Sequence, residues 1–175
     1  SVNTDNEILK ESIRTVYFER PDWRITYPLI RLNSEAQLIL HFDELGEEVQ
    51  TYYYRFIHCS ANWEPSSLFP SDYMEGFEEN PVEEYVLSFN TTYDYVHYKL
   101  TFPNEDVRFT VSGNYLIEVF PLGYPDEPVL RRRFMVSEEA AGVTVDPQRA
   151  AMAGRMDTHQ QVNVEVSLGV LPVDD

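Results

Sequence analysis

The side chains in this sequence that could carry out acid–base chemistry are mostly carboxylates. Adjacent pairs occur at Glu78–Glu79 and Glu83–Glu84, within a stretch from Arg55 to Lys99 that has no internal Lys or Arg but eight Asp or Glu. A catalytic pair needs two environments that push the two pKa values apart, and a solvated acidic loop offers one environment only. The carboxylate pairs therefore predict a solvated acidic surface, and we predict no catalytic residue.

Histidine and cysteine side chains could bind a transition metal. His58 and Cys59 are neighbours, and neighbouring side chains of a strand point to opposite faces, so the two are poorly placed to share an ion. The remaining histidines show no ligand spacing: His41, His97 and His159. We expect neither a transition metal nor a cofactor.

Calcium suits the acidic loop somewhat better, because carboxylates are hard oxygen ligands. The candidate ligands lack the spacing of a known calcium-binding loop: Asp72, Glu75, Glu78 and Glu79. As a nucleophile, Cys59 would need positive neighbours to lower its pKa. Its neighbourhood is acidic, so we expect a packed, inert thiol.

Composition excludes several classes of partner. The chain has 175 residues, a formal net charge of −17 and a single cysteine. Nucleic acid and anionic membrane surfaces are bound through Lys and Arg clusters, so neither is expected as a partner. No apolar run reaches membrane-spanning length, so no direct membrane insertion is expected. The first residue is Ser1 rather than Met, as at a processed or engineered mature end, and an exported origin fits this start.

Alternating apolar residues, Pro and Gly turns and the lack of a helical pattern predict an all-β fold, an immunoglobulin-like antiparallel β-sandwich. In SGNYLIEV, Tyr115 begins a strand, as the tyrosine of a tyrosine corner does. The predicted strands cover residues 12–20, 25–32, 36–42, 50–58, 85–90, 95–102, 114–121 and 129–136. Residues 1–10 are expected to be frayed, and 103–108 to form a loop.

A long segment, Cys59 to Glu84, separates two of these strands. It exceeds the usual length of an unstructured connection, so we expect an ordered loop folded over one sandwich face, with a helical turn near Pro70 to Asp72. Its aromatic residues either bind a partner or pack against the sandwich and hold the loop there. In both cases the acidic outer surface of the loop stays available to a basic partner. The candidate partner-binding residues are Trp63, Phe69, Tyr73, Glu75, Phe77, Glu78 and Glu79.

The sequence predicts one domain followed by a fragment. Residues 1–140 form the sandwich, and residues 141–175 read as a linker and the truncated start of a second β-domain, with a strand at 162–168. The other interpretation is that this tail adds strands to the first sandwich, since one or two strands do not make a stable domain. Three arginines that alternate across the last sandwich strand are expected to balance local carboxylates: Arg131, Arg132 and Arg133.

Four segments carry a family resemblance, in order, across residues 28–136: PLIRLNSEAQLILHFDEL, YYYRFIHCSANWEPSSLFPSDYMEGFEENPVEEYVLSFNTTYDYVHYKLTFPNE, SGNYLIEVF and PVLRRRFMV. The chain resembles the first domain of the plug protein of the type 9 secretion system of Bacteroidota, long known as a domain of unknown function. The tail VTVDPQRAAMAGRMDTHQQVNVEV is similar to the entry to that protein's next domain.

The resemblance implies a periplasmic, non-enzymatic protein associated with the outer membrane. It would bind the periplasmic mouth of a large outer-membrane β-barrel translocon and close it when no substrate is in transit. No family motif assigns contact residues, so only family membership carries over. The alternative is a carbohydrate-binding or accessory β-sandwich of an extracellular glycan-processing protein, with Trp63 in its sugar platform; an enzyme ranks third.

Overall fold

The computed structural model describes residues 3–21, 28–89, 91–138, 141–149 and 160–168. They form fourteen strands and one short helix. The elements are β1 (Glu7–Ile8), β2 (Ile13–Glu19), β3 (Leu29–Arg31), β4 (Leu38–Leu45), β5 (Tyr52–Cys59), α1 (Pro70–Tyr73), β6 (Met74–Gly76), β7 (Asn80–Pro81), β8 (Glu84–Leu87), β9 (Tyr95–Phe102), β10 (Val107–Phe109), β11 (Gly113–Pro121), β12 (Leu130–Ser137), β13 (Ala141–Arg149) and β14 (Gln160–Leu168).

Two sheets make the sandwich. The larger has the order β1-β12-β11-β5-β7, with β3 also paired to β12, and the smaller has the order β2-β4-β9-β8. All of these pairings are antiparallel except that of β3 with β12. The predicted all-β antiparallel sandwich is confirmed.

Alternation along the strands places the aromatic core between the sheets. On β4, Leu38, Leu40 and Phe42 are fully buried, because period-2 geometry puts them on one face. Phe102 of β9 and Phe134 of β12 meet across the sheets with ring centroids 5.1 Å apart. Such edge-to-face pairs contribute packing beyond the area that they bury.

The tyrosine corner is present. The Tyr115 hydroxyl donates a hydrogen bond to the carbonyl oxygen of Val111 at 2.7 Å, and the ring is fully buried. This fixes the chain where it enters β11, as the sequence pattern predicted. The helical turn predicted near Pro70 is also present, as α1.

Two sequence predictions are wrong. Glu7 and Ile8, within the segment expected to be frayed, form β1 and pair with β12, with Glu7 opposite Arg131. Residues 103–108 are not entirely loop, because β10 begins at Val107 and pairs with β6. Strands of two or three residues are too short to show alternation, and long-range pairing alone creates them. Part of the second predicted strand, residues 25–27, lies outside the described residues.

The chain divides into two compact units, Ser1–Ser137 and Glu138–Asp175. In the second, β13 and β14 pair in antiparallel register from Ala141 opposite Leu168 to Arg149 opposite Gln160. Strand β13 begins inside the segment expected to be a linker. Residues 150–159 and 169–175 lie outside the described residues. Across the part of the chain that is described, no helix has the length and apolarity needed to cross a membrane.

Candidate docking surface

The long loop between β5 and β8 is held to the sandwich by a buried tyrosine. Tyr73, the last residue of α1, is 4% exposed. Its hydroxyl donates to the carbonyl oxygen of Phe56 at 2.9 Å, and its ring stacks on His58. Burial raises the pKa of the Tyr73 phenol above its ordinary value of about 10. Because this side chain is enclosed, its role is to fix the loop.

A small two-stranded sheet fixes the next part of the loop. Strands β6 and β10 pair with Glu75 opposite Arg108, and these two side chains also form an ion pair at 2.5 Å. Gly76 has φ of +115°, and a Cβ there would lie 1.8 Å from the carbonyl oxygen of Asp106. Only glycine allows the two backbones to approach this closely.

Trp63 lies against the sandwich rather than free in solvent. The Arg133 guanidinium is 4.5 Å from the centroid of the indole ring, a cation–π contact. The backbone of Trp63 accepts a hydrogen bond from the Thr4 hydroxyl. One face of the indole is therefore already occupied.

The remaining candidate residues lie on the outside of the loop. Phe69 is 73% exposed and Phe77 is 75% exposed. Glu78 and Glu79 are exposed, and Glu79 is 3.9 Å from Arg55. The structure thus separates the seven predicted residues into buried Tyr73, half-buried Trp63 and five exposed side chains.

The basic residues nearby are engaged in ion pairs. Glu118, which is 1% exposed, forms ion pairs with Arg55 at 2.8 Å and with Arg131 at 2.7 Å. Arg131 also pairs with Glu7 at 2.9 Å, and Arg133 pairs with Asp5. Arg131 and Arg133 thus balance local carboxylates as predicted, whereas Arg132 donates to the backbone carbonyl oxygens of Glu7 and Arg131 instead.

A second exposed apolar group lies on the hairpin of β8 and β9, which sequence reasoning did not select. The whole of β8 is exposed, and the exposed apolar side chains continue into its turn: Tyr85, Val86, Leu87, Phe89 and Tyr93. The signal was available, because YVLSF has consecutive apolar residues where a half-buried strand would alternate.

A chain of four hydrogen-bonded side chains crosses the outer face of the smaller sheet. Glu19 and His41 Nε2 are 2.8 Å apart, His41 Nδ1 and His97 Nε2 are 3.0 Å apart, and His97 Nδ1 and Asp43 are 2.6 Å apart. Tyr17 stacks on His41. A hydrogen bond between the two facing ring nitrogens requires a proton on one of them.

Burial lowers the pKa of His41, and the neighbouring His97 lowers it further, whereas Glu19 opposes the shift. The two histidines are 56 positions apart, and they meet because Asp43 lies opposite His97 in the β4–β9 register. No local pattern in the sequence carries this information.

The thiol and the carboxylates offer little chemistry. Cys59 is 1% exposed, and burial raises the pKa of its thiol to about 11, so the thiolate is scarce at neutral pH. No group of three or more His, Cys, Asp or Glu that could hold a metal ion occurs among the residues that the structure describes.

Three comparisons with known proteins place this geometry in context. The family model described as "Type 9 secretion system plug protein 1st domain" matches residues 13–138. The crystal structure of a hypothetical protein from Parabacteroides merdae ATCC 43184 is 31% identical, with a TM-score of 0.82. It is matched over 99% of this chain and 44% of its own, so this chain spans less than half of that protein.

Among curated proteins, no match was found. A DNA glycosylase structure from Pseudomonas fluorescens, AlkC bound to DNA, matches with a TM-score of 0.37 at 11% identity over 71% of this chain and 30% of its own. That similarity is too low to carry an argument.

Proposed function

Because the chain belongs to the family of the first domain of the type 9 secretion system plug protein, we propose that it docks on the periplasmic mouth of an outer-membrane β-barrel translocon and occludes it. The family is a component of secretion machinery and not a known enzyme family. The match over residues 13–138 is the observation that carries this proposal. The mechanism is steric: a bound folded domain blocks the opening without bond-making or bond-breaking.

The packing of the domain suits such a role. A steric plug must keep its shape, and the core here is a continuous set of aromatic contacts between the two sheets, such as Phe56 with Phe102 and Phe42 with Tyr52. The long loop is fixed by Tyr73 and by the β6–β10 pairing. A partner that binds this surface orders little of it, which lowers the entropic cost of docking.

The docking contacts proposed on the loop are its exposed side chains. Phe69 and Phe77 supply apolar area, and Glu78 and Glu79 supply charge that favours a basic surface. Glu75 is paired with Arg108 and contributes at the rim. Tyr73 and Trp63 act by positioning the loop.

A sugar platform is the alternative that Trp63 suggested. Carbohydrate stacking needs an open aromatic face, and Arg133 covers one face of the indole. The structure gives no observation that favours this alternative over docking. Glycan binding that Trp63→Ala abolishes would support it.

The test is co-purification of the full-length tagged protein from outer-membrane extracts. We expect the large barrel to be recovered with it, and the double variant Phe69→Ser, Phe77→Ser to recover less. The control is Leu122→Ser, at an exposed apolar residue in the turn between β11 and β12. Failure of the unaltered protein to recover the barrel would contradict the proposal.

A further inference from the structure

The smaller sheet ends in an edge that is open to another strand. Strand β8 is the last strand in the order β2-β4-β9-β8, and no other described strand pairs with its outer side. Its four residues are all exposed. An exposed, apolar sheet edge is a template for pairing with another chain.

The hydrogen-bond pattern identifies the peptide groups of β8 that point away from β9. The Ser88 amide donates to the carbonyl oxygen of Tyr95 at 2.9 Å, and the register continues with Val86 opposite His97. In an antiparallel pair every second residue exchanges hydrogen bonds with its partner strand. The peptide groups of Tyr85 and Leu87 therefore face away from β9, about 7 Å apart along the strand.

The other end of the same sheet is protected. Strand β2 has a register shift between Arg14 and Tyr17, and Thr15 has φ of +54°. Bulges and charged residues in an edge strand hinder its pairing with another chain in this way. On the larger sheet, the edge strand β7 has two residues and one is Pro81. By contrast β8 contains neither Lys nor Pro.

The charges around β8 indicate what would pair with it. Glu83 precedes the strand, Glu84 begins it and Asp94 closes the turn. Lys99, which lies opposite Glu84 on β9, is paired with that carboxylate at 3.1 Å. A groove of about 650 Å³ adjoins the start of β8, and Glu83, Glu105 and Asp106 are among its lining residues. The two basic residues of its lining, Lys99 and Arg108, are already in ion pairs with carboxylates. The carboxylates around β8 would attract a positively charged segment and repel a negatively charged one.

From these observations we infer that β8 is the binding edge for an extended, basic and apolar segment of a protein partner, which adds as a fifth strand beside Tyr85 and Leu87. Main-chain hydrogen bonds would provide affinity, and the acidic flank would select Lys and Arg. A second copy of this chain is disfavoured, because it would bring the same carboxylates to the edge and each copy has a net charge of −17. This inference rests on the proposed docking function, to which it adds a second contact surface besides the loop and the chemistry of the partner segment.

The decisive variant is Leu87→Pro. Proline removes the outward amide hydrogen of residue 87 but none of the hydrogen bonds to β9, so it blocks strand addition and leaves the hairpin paired. A second variant, Val86→Lys, puts a positive charge on a side chain that is 64% exposed. Leu122→Lys adds the same charge at a remote exposed residue and is the control.

The probe is an acetylated heptapeptide, Lys-Val-Lys-Val-Lys-Val-Lys, with the Glu-Val-Glu-Val-Glu-Val-Glu peptide as the charge control, added to the full-length protein. We expect the basic peptide alone to slow hydrogen exchange at the amides of Tyr85 and Leu87. Binding should weaken by at least about tenfold in Leu87→Pro and Val86→Lys, and stay unchanged in Leu122→Lys. Because the attraction is electrostatic, binding should also weaken as salt is raised.

Other results would overturn the inference: protection elsewhere, equal binding of the acidic peptide, or a dimer in sedimentation that Leu87→Pro dissolves. Barrel recovery separates the two proposals. If Leu87→Pro loses the peptide but still recovers the barrel, the edge is not the docking route and the proposed function stands. If the unaltered protein binds the peptide at β8 but recovers no barrel, the proposed function fails and the binding edge stands.

Discussion

Glu118 lies in the middle of β11 and is held by two arginines on the neighbouring strands. Arg55 and Arg131 approach its two carboxylate oxygens from opposite sides, and its exposure is 1%. A buried carboxylate is tolerated when its charge is compensated and its lone pairs are bonded. This arrangement ties β5, β11 and β12 together on one face of the larger sheet.

Glu118→Gln should destabilise the fold by about 3 kcal/mol, because it removes the buried carboxylate and leaves Arg131 with Glu7 and Arg55 with the more distant Glu79. Arg55 is partly exposed, which keeps the loss at the low end of the range for breaking a buried pair. The measurement is the free energy of unfolding in urea. Glu75→Gln is the matched control, since its ion pair with Arg108 is exposed, and it should change stability by less than about 1 kcal/mol. Similar losses of unfolding free energy in the two variants would contradict the conclusion that the buried ion pairs of Glu118 contribute more than an exposed pair.

His41 should make stability depend on pH. The pKa of His41 is lowered in the folded protein, so the unfolded chain takes up a proton first as the pH falls. Stability that is present above about pH 6.5 is then lost below it. The groups that face His41 are Tyr17, Glu19, His97 and Lys99.

The expected result is a stability difference between the unaltered protein and His41→Gln that changes with pH. Glutamine does not titrate, so the unaltered protein should lose stability relative to the variant between about pH 7 and pH 5. Urea unfolding at several pH values measures this. A constant difference across that range would show that His41 does not titrate differently in the two states.

The long loop behaves as a structural element because its backbone is paired, not only because its aromatic residues are buried. Its sequence predicted an ordered loop, and α1 and Tyr73 agree with that. The β6–β10 pairing was missed, since three residues cannot show a period-2 pattern. This pairing requires glycine at residue 76, because a Cβ there would clash with the carbonyl oxygen of Asp106.

Gly76→Ala should detach the loop from the sandwich. The new Cβ would clash with a backbone oxygen, and positive φ adds strain, so we expect a loss of about 3 kcal/mol or more in unfolding free energy. Hydrogen exchange should quicken at the β6 and β10 amides. Gly46→Ala, also at positive φ but with no atom within 4 Å of its Cβ, should cost only about 1 kcal/mol. Equal costs would mean that the backbone contact does not matter.

At the scale of the whole molecule, charge is the dominant property. The chain has 30 Asp and Glu against 13 Lys and Arg, so its compact form contains net repulsion. Exposed pairs such as Lys99 with Glu84 are each worth little. Raising NaCl from about 10 mM to about 150 mM should therefore move the urea midpoint upward, because screening relieves the repulsion more than it weakens the pairs. A midpoint that falls with salt would show that the ion pairs dominate.

What could be predicted from the sequence is what local geometry determines. Period-2 alternation put Leu38, Leu40 and Phe42 of β4 on one face, since side chains of a strand must alternate, and that face is the buried one. Tyr115 after Ser112-Gly113 indicated the tyrosine corner, because its partner Val111 is only four residues away. The acidic outside of the loop followed from composition alone.

The tertiary structure decided the rest, because strand order and register bring distant residues together. It brings His41 within hydrogen-bond distance of His97 and Arg133 into cation–π contact with Trp63. It separates the seven candidate residues into buried, half-buried and exposed side chains. It also left β8 as the outer strand of its sheet. Whether an apolar strand is a core strand or a binding edge depends on its neighbours, and those neighbours come from distant parts of the chain.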